Sequence, residues 1–462
     1  MLRILLSVLF SIIFSFGYSQ GLKTPSEYLR YQHGTYFTRH HQVVDYFEDL
    51  EVHSNGKLQL EEYGVTNENR KLLLAYISTP ENIARLDEIR EAHEKGITED
   101  VAIVWLSYNV HGNESSGTEA AMITAYDLIA RHQDWLKNVL VIMDPCMNPD
   151  GRDRYVNWYN QKKTSIIDPN YGTMEHSEPW PSGRVNHYLF DLNRDWAWLT
   201  QVESQQRVTI YNKWLPHVHV DFHEQGVNSP YYFAPAAEPF HEVITDWQRE
   251  FQTQLGRNHA KYFDKNGWLY FTRQEFDLLY PSYGDTYPTF LGAIGMTYEQ
   301  GGGGGAGLAI VNSEGDTLTL EDRMNHHHLT GISTVEFSFL NSEKLVKEFQ
   351  DFVSSNNHKY KTYALGGDKD KMRQLTELLE LHEIEYTIGN GAVVKGYDYR
   401  MEASGSLKAT SNHILISTKQ KKGTFVNVLF EPKTMLSDSV TYDITAWSLP
   451  YAYGLDCVAS ES

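Results

Sequence analysis

Two rhythms of apolar and polar positions alternate along the chain. "RKLLLAYIST" (70–79), "VAIVWLSYN" (101–109) and "NVLVIMDP" (138–145) are continuous apolar runs of strand length. Around them, "HHQVVDYFEDLEVHS" (40–54), "ARLDEIREAHEK" (84–95) and "GTEAAMITAYDLIARH" (117–132) carry the three-to-four spacing of helices with one apolar side. Buried strands alternating with amphipathic helices predict an α/β fold, a sheet covered by helices on both faces. From Asn148 to about Asp195 the rhythm gives way to a long loop rich in Asn, Asp, Pro, Gly and aromatics. Loops of that length inside a compact domain are usually functional. The alternation resumes with a strand at "HVHVDF" (217–222), a helix over 238–265, a strand at "AIGMTY" (293–298) and a helix over about 321–353. "GGGGGAG" (301–307) reads as a flexible loop, since no Lys-Ser/Thr follows to make it a phosphate loop.

Beyond residue 355, "YKTYALGG", "DKMRQLTELLELHE", "IEYTIG", "NHILIST" and "TFVNVLF" predict a second, smaller α/β region over 356–462, βαβ-like and strand-rich. It is small for a complete doubly wound domain. No nucleophile stands beside a base there, so a structural or substrate-positioning role is expected, and the site ahead of it is expected to assemble without it.

Composition narrows the partners. With 462 residues, 41% hydrophobic and 22% charged, the chain has room for one large globular domain and this smaller one. A net charge of -20 argues against nucleic acid and anionic membrane surfaces, which call for basic clusters. The short run "KQKK" (419–422) is expected to be a solvated hairpin tip. Arg3, the apolar run Ile4 to Phe16, and Gly17 and Ser19 form a signal peptide over 1–19, with cleavage expected near Ser19/Gln20. That run is short against a membrane span of about 20 residues, so the mature chain, 20–355 followed by 356–462, is expected to be exported, periplasmic or secreted, without a span. Two cysteines, Cys146 and Cys457, make no disulfide framework and indicate no thiol chemistry.

Candidate chemistry begins in "NVHGNESSGTEA" (109–120). His111 and Glu114 are either a metal-ligand pair at a strand end or part of an ordinary capped helix start. With 20 histidines in the chain the spacing does not decide, and "HEIE" (382–385) repeats it in a helical stretch. A catalytic zinc site takes a third protein ligand and leaves a position for water. Open α/β sheets place such sites at strand ends. His223 in "HVHVDFHEQG" stands at one, whereas His217 and His219 read as buried histidines. Glu299 in "MTYEQGG" ends another strand and is a candidate general base. "HHH" (326–328) radiates around a helix and cannot chelate one ion together.

The order "HGNE", "NPDG", "DLNRDW", "DFHEQG", "MTYEQG" resembles the zinc metallocarboxypeptidases, the carboxypeptidase A-like superfamily, over about residues 25–340. "NPDGRDRYVNWYN" and "GRVNHYLFDLNRDW" are similar to an exported bacterial branch with an extra C-terminal region. The resemblance implies a mixed central sheet with helices on both faces. It implies one Zn2+ per chain on His111, Glu114 and His223, with Glu299 as general base and Asn193 and Arg194 gripping a terminal carboxylate. The implied activity is a zinc-dependent hydrolase that removes the C-terminal residue of peptides, the partner being a peptide with a free C-terminal carboxylate.

Two positions depart from the family pattern. Digestive members place an oxyanion arginine well downstream of "NPDG", where this chain reads "NWYNQKKT"; Arg154 is preferred for the role over Arg152. For a phenol closing over substrate, Tyr280 in "LYPSYGDTY" matches best by its distance from Glu299, with Tyr283 and Tyr287 as alternatives. Two other readings stand beside this one. A non-catalytic binding protein on the same scaffold is disfavoured by the intact residue set. An amidase or peptidase acting on cell-wall or modified peptides keeps the same fold. A serine hydrolase is not supported, since no G-x-S-x-G elbow follows a strand.

Overall fold

The computed structural model describes residues 21–97, 101–436, 441–442 and 444–462; the signal peptide expected over 1–19 lies outside them. Eight strands make the central sheet: β1 (Leu58–Val65), β2 (Lys71–Ile77), β3 (Ala102–Tyr108), β4 (Val139–Asp144), β5 (Val218–Gln225), β6 (Tyr231–Tyr232), β7 (Tyr270–Phe271) and β8 (Ile294–Gly301). Their order is β1-β2-β4-β3-β5-β8-β6-β7. Strands β4, β3, β5 and β8 run parallel, and β2 and β6 join them antiparallel, so the sheet is mixed.

Successive residues of a strand point to opposite faces, and both faces are covered. Val104 and Leu106 of β3 belong to a cluster with Val43, Ala121, Phe251 and Ile332, from the helices His40–His53, Ser116–Arg131, Asp246–Asn266 and Leu320–Leu340. Ile103 and Trp105 belong to the opposite cluster with Ile89, Tyr211 and Phe349, from Leu86–Glu94, Val202–Trp214 and Ser342–Ser354. Both clusters read in sequence as unbroken apolar strands, because neither face meets water.

Several local expectations change. The helix expected over 238–265 starts at Asp246, behind a capping box at Thr245; Ala237–Phe240 is a short strand. The helix expected over 321–353 breaks at Asn341 into two. The long loop from Asn148 opens with a helix, Pro149–Lys162, whose first turn Asn148 caps by accepting from Gly151 N at 3.0 Å.

The C-terminal region folds around a sheet of β9 (Thr362–Gly366), β10 (Thr387–Ile388), β11 (Ala392–Asp398), β12 (Ala403–Ala409), β13 (Ile414–Ser417) and β14 (Asp456–Ser460), in the order β10-β13-β9-β14-β11-β12. Every pairing is antiparallel, so the βαβ expectation does not hold. "TFVNVLF" lies in a helix, Gly423–Phe430, buried on all sides. An apolar run buried all round has no periodicity to separate helix from strand.

The two regions share one apolar cluster, in which Trp105, Trp196 and Tyr287 belong with Tyr363, Leu375 and Phe425. Polar contacts cross the same boundary. His382 Nε2 lies 2.9 Å from Ala197 O and its Nδ1 3.1 Å from the Tyr287 hydroxyl. Lys422 donates to Asn212 Oδ1 at 2.9 Å, so the expected solvated tip is in part a buried clamp. Among the described residues no helix is long and apolar enough to cross a membrane.

Candidate active site

The site lies where β3, β5 and β8 end. Asn109, the first residue past β3, has φ 63, and its side chain donates to the carbonyls of His111, Gly112 and Glu114 at 2.8, 3.3 and 3.0 Å. A left-handed residue with a short amide side chain lets the chain double back here. Gly112 is required by contact: a Cβ there would meet Arg152 N at 2.2 Å and Gly183 O at 2.5 Å. The tight turn aims His111 and Glu114 at one point. Parallel register then sets His223 of β5 directly beside Glu299 of β8.

The donor atoms converge. His111 Nδ1 lies 2.9 Å from Glu114 Oε1, His223 Nδ1 lies 3.1 Å from Glu114 Oε2, and the two Nδ1 atoms are 3.2 Å apart. All three ligand atoms fall within 4.8 Å of one another, on buried residues. Each imidazole offers its other nitrogen to a carboxylate: His111 Nε2 lies 2.9 Å from Asp191 Oδ1, and His223 Nε2 lies 2.9 Å from Asp221 Oδ2. For His111 this hydrogen bond holds the proton on Nε2 and turns a lone pair on Nδ1 inward, as metal-ligating histidines require. Two imidazole nitrogens facing each other across 3.2 Å beside a carboxylate form a set that a cation between them would satisfy. Two imidazoles and one carboxylate suit zinc and leave a coordination position open.

Buried charge is concentrated at these groups. Burial opposes ionisation of Glu114, yet His111 and His223 hold its pKa well below the usual carboxylate range. Burial also opposes charging of His223, and Asp221 and Glu114 nevertheless push it well above the ordinary value. Burial pushes Glu299 up to about 8, with His223 and Arg184 opposing and Glu114 and Asp221 adding to the rise. Among the described residues Glu299 Oε2 has no hydrogen-bond partner. A divalent cation at the three ligands would pull that pKa back down.

The cavity beside these groups measures about 320 Å³, and Arg184, Arg194, Tyr283, Asp285 and Glu299 line it with the three ligands.

Residues 43–265 match the family model described as "Zinc carboxypeptidase". The match covers just under half of the chain, the part that carries all three ligands, so this part of the chain is similar to that family. A curated relative, "Carboxypeptidase 2" of Trichophyton rubrum, is 28% identical over 125 residues, 26% of this chain and 18% of the relative. The chain thus spans under a fifth of the length of the relatives it matches. Among solved structures, a metallo-carboxypeptidase from Burkholderia cenocepacia aligns at 16% identity and TM-score 0.45, over 64% of this chain and 68% of the other. Thrombin activatable fibrinolysis inhibitor aligns at 12% identity and TM-score 0.47, over 72% and 79%.

His111, Glu114 and His223 come together as a triad of zinc-ligand type. Asp191 begins the short 3-10 turn Leu192–Arg194 by accepting from Asn193 N at 2.9 Å, and the turn presents Asn193 and Arg194 to the cavity. Asn193 Oδ1 accepts from Gly284 N at 2.8 Å, and the Arg194 guanidinium lies 4.6 Å from the Tyr283 ring centre.

Arg154 and Tyr280 fall elsewhere. The Arg154 guanidinium donates to the carbonyls of Ser182, Val185 and Asn186 at 3.0, 3.2 and 3.0 Å, so it braces a loop instead of facing the cavity. Arg152 is fully buried against Glu119. The braced loop carries Arg184, whose Nη1 lies 3.1 Å from Glu114 Oε1 and whose Nη2 lies 3.1 Å from Asp191 Oδ2. Sequence reading missed Arg184 because it sought the arginine soon after "NPDG"; its signal was "GRVNHYLFDLNR", seven residues before Asp191. Tyr280 is buried, its hydroxyl 2.5 Å from Trp198 Nε1, and Tyr283 takes the cavity wall instead. The expectation for "HHH" holds: His326, His327 and His328 each contact a different residue, Gln300, Tyr231 and Thr124. Glu224, beside a ligand, is occupied by Ser116 and Arg323.

Proposed function

We propose that the protein removes the C-terminal residue of peptides by zinc-dependent hydrolysis. One observation carries this reading: the Asn193–Arg194 turn opens into the same cavity as the ligand triad and Glu299. A guanidinium grips a carboxylate in a planar, two-bonded fashion, and Arg194 is placed to do so. Its distance to Asp191 Oδ2 is 3.9 Å, while Asp195 accepts from Thr200 and Gln201 instead.

Zinc at the triad supplies Lewis acidity, polarising a carbonyl and making water acidic enough to ionise near neutral pH. The remaining steps belong to side chains of the chain. Glu299 takes the proton of the attacking water and returns it to the leaving amine as the C–N bond breaks. Arg184 is the fixed cation beside the reacting carbon, and it steadies the negative oxygen that develops there. Asp191 holds both His111 and Arg184, so a single carboxylate orients a zinc ligand and the oxyanion donor.

The test is a pair of peptides differing only at the terminus. Amidation replaces the anion that Arg194 would grip, a loss of about 1.5–3 kcal/mol for a charge-assisted contact, or roughly one to two powers of ten in kcat/KM. Arg194→Ala is expected to bring a similar loss on free peptides and little further loss on amidated ones. Equal cleavage of both peptides by the wild type would replace this reading with an amidase or endo-acting one.

Export belongs to the same proposal and rests on Arg3, the Ile4–Phe16 run and the small residues Gly17 and Ser19. So does placement in an exported bacterial branch, with all reacting groups before residue 356. N-terminal analysis of protein recovered outside the cytoplasm tests it, with Gln20 as the expected first residue.

A further inference from the structure

The C-terminal region does more than cover an apolar face. Beyond the helix Gly423–Phe430, Tyr442 lines the cavity of the candidate active site together with Arg194 and Glu299. Its backbone N–H donates to Asp277 Oδ2 at 2.7 Å. Its ring centre lies 5.3 Å from Phe276 and 6.3 Å from Tyr283, tilted by 50° and 70°. Tyr283 in turn carries the Arg194 guanidinium. The result is a continuous wall, Arg194–Tyr283–Tyr442–Phe276, along one side of the cavity.

This placement is anchored close to the substrate-gripping turn. His382 meets the Ala197 carbonyl three residues past Arg194, His241 contacts Glu431 at 2.8 Å, and Trp447 packs within 6.2 Å of Tyr280. Tyr442 itself is 49% exposed, whereas Tyr280 is buried. Burial, followed by the charge of Glu299, raises the pKa of this phenol, which stays a neutral donor.

We propose that Tyr442 is a substrate-contacting residue, so that the C-terminal region completes the subsite for the substrate's terminal residue. The inference rests on the carboxypeptidase reading. A carboxylate gripped by Arg194 in a cavity of about 320 Å³ sets the terminal residue against the Tyr283–Tyr442 wall. There an aromatic ring offers both apolar area and a polar tip.

The experiment uses the full, zinc-loaded chain and blocked dipeptides with free C-terminal Phe, Leu or Lys. Tyr442→Ala is expected to raise KM about tenfold on the best of them, with kcat within about threefold and zinc content and Tm unchanged. Tyr442→Phe keeps the ring and should recover most of the KM, and the control Tyr451→Ala, in the same region but outside the cavity, should leave KM alone. Calorimetric binding of the same dipeptides to Glu299→Gln protein gives a second measurement, expected to weaken about tenfold on adding Tyr442→Ala. Wild-type hydrolysis with unaltered KM in both Tyr442 variants would overturn this inference and leave the carboxypeptidase reading standing. Absence of both hydrolysis and binding in all dipeptides would overturn the two together. Binding that weakens with Tyr442→Ala in a protein that hydrolyses none of them would keep the subsite and remove the reaction.

Discussion

The chain contains two His-x-x-Glu stretches, and the fold uses them for opposite ends. At His111–Glu114 the backbone turns back on itself after β3, so both side chains reach one point and meet His223 from the neighbouring strand. His382 instead closes the helix Lys369–Leu381, and Glu383 follows with φ 55. That reversal sends His382 inward against Ala197 and Tyr287 and leaves Glu385 exposed. Spacing is identical, yet only the first pair has a third ligand and a carboxylate behind each imidazole. A ligand motif is therefore defined by what faces it across the sheet, and the spacing alone describes a local geometry that many helices share.

The largest effect should separate the two histidines by metal. His111→Ala is expected to take bound zinc from about one per chain to near zero, as for a three-ligand site losing one member, and to abolish turnover. His382→Ala should leave the zinc in place. Elemental analysis of both purified variants checks this, and loss of zinc from a folded His382→Ala protein would erase the distinction.

Stability should separate them in the other direction. His382→Ala leaves the Ala197 carbonyl and the Tyr287 hydroxyl unpaired in a packed interface, a destabilisation of about 2–4 kcal/mol from the lost bonds and the void. Because one apolar cluster spans both regions, a chain ended near residue 355 should not reach the same folded state. A soluble truncation with full zinc would show instead that the site assembles independently, as the sequence suggests.

Acid sharpens the same contrast. Burial pushes His93 down to about 4 and His259 and His382 down to about 3, from an ordinary value of 6.5. Between those values the unfolded chain holds more protons than the folded one. Stability should therefore fall as pH drops below about 6.5, by up to about 1.4 kcal/mol per unit for each histidine. Metal is also released in acid, since protons compete for its ligands. Urea titrations at pH 7 and 5 with excess zinc separate the two: zinc restores metal occupancy and leaves the histidine-dependent slope. The smallest effect belongs to Glu385→Gln, expected to change stability by less than about 0.5 kcal/mol, as exposed positions do.

Much of the catalytic half was legible because its signals are local. Apolar runs at β3, β4, β5 and β8 mark strands buried on both faces, and the ligands and Glu299 sit just past β3 or near the C-terminal ends of β5 and β8. Arg184 was not legible by counting, because the loop that carries it is folded back by Arg154 and by contacts between its own residues. Tyr280 looked right by its distance along the chain from Glu299, but that distance says nothing about which of several tyrosines turns toward the cavity.

The sequence by itself determined the alternating elements, the triad of ligand types and the strand-end glutamate, since each depends on residues that are neighbours in the chain or follow a fixed period. Only the tertiary structure decided which His-x-x-Glu pair meets a third ligand, which arginine reaches the cavity and that a tyrosine from the last quarter of the chain walls it. Those outcomes depend on register between strands and on packing between distant segments, where a shift of one residue sends a side chain to the opposite face.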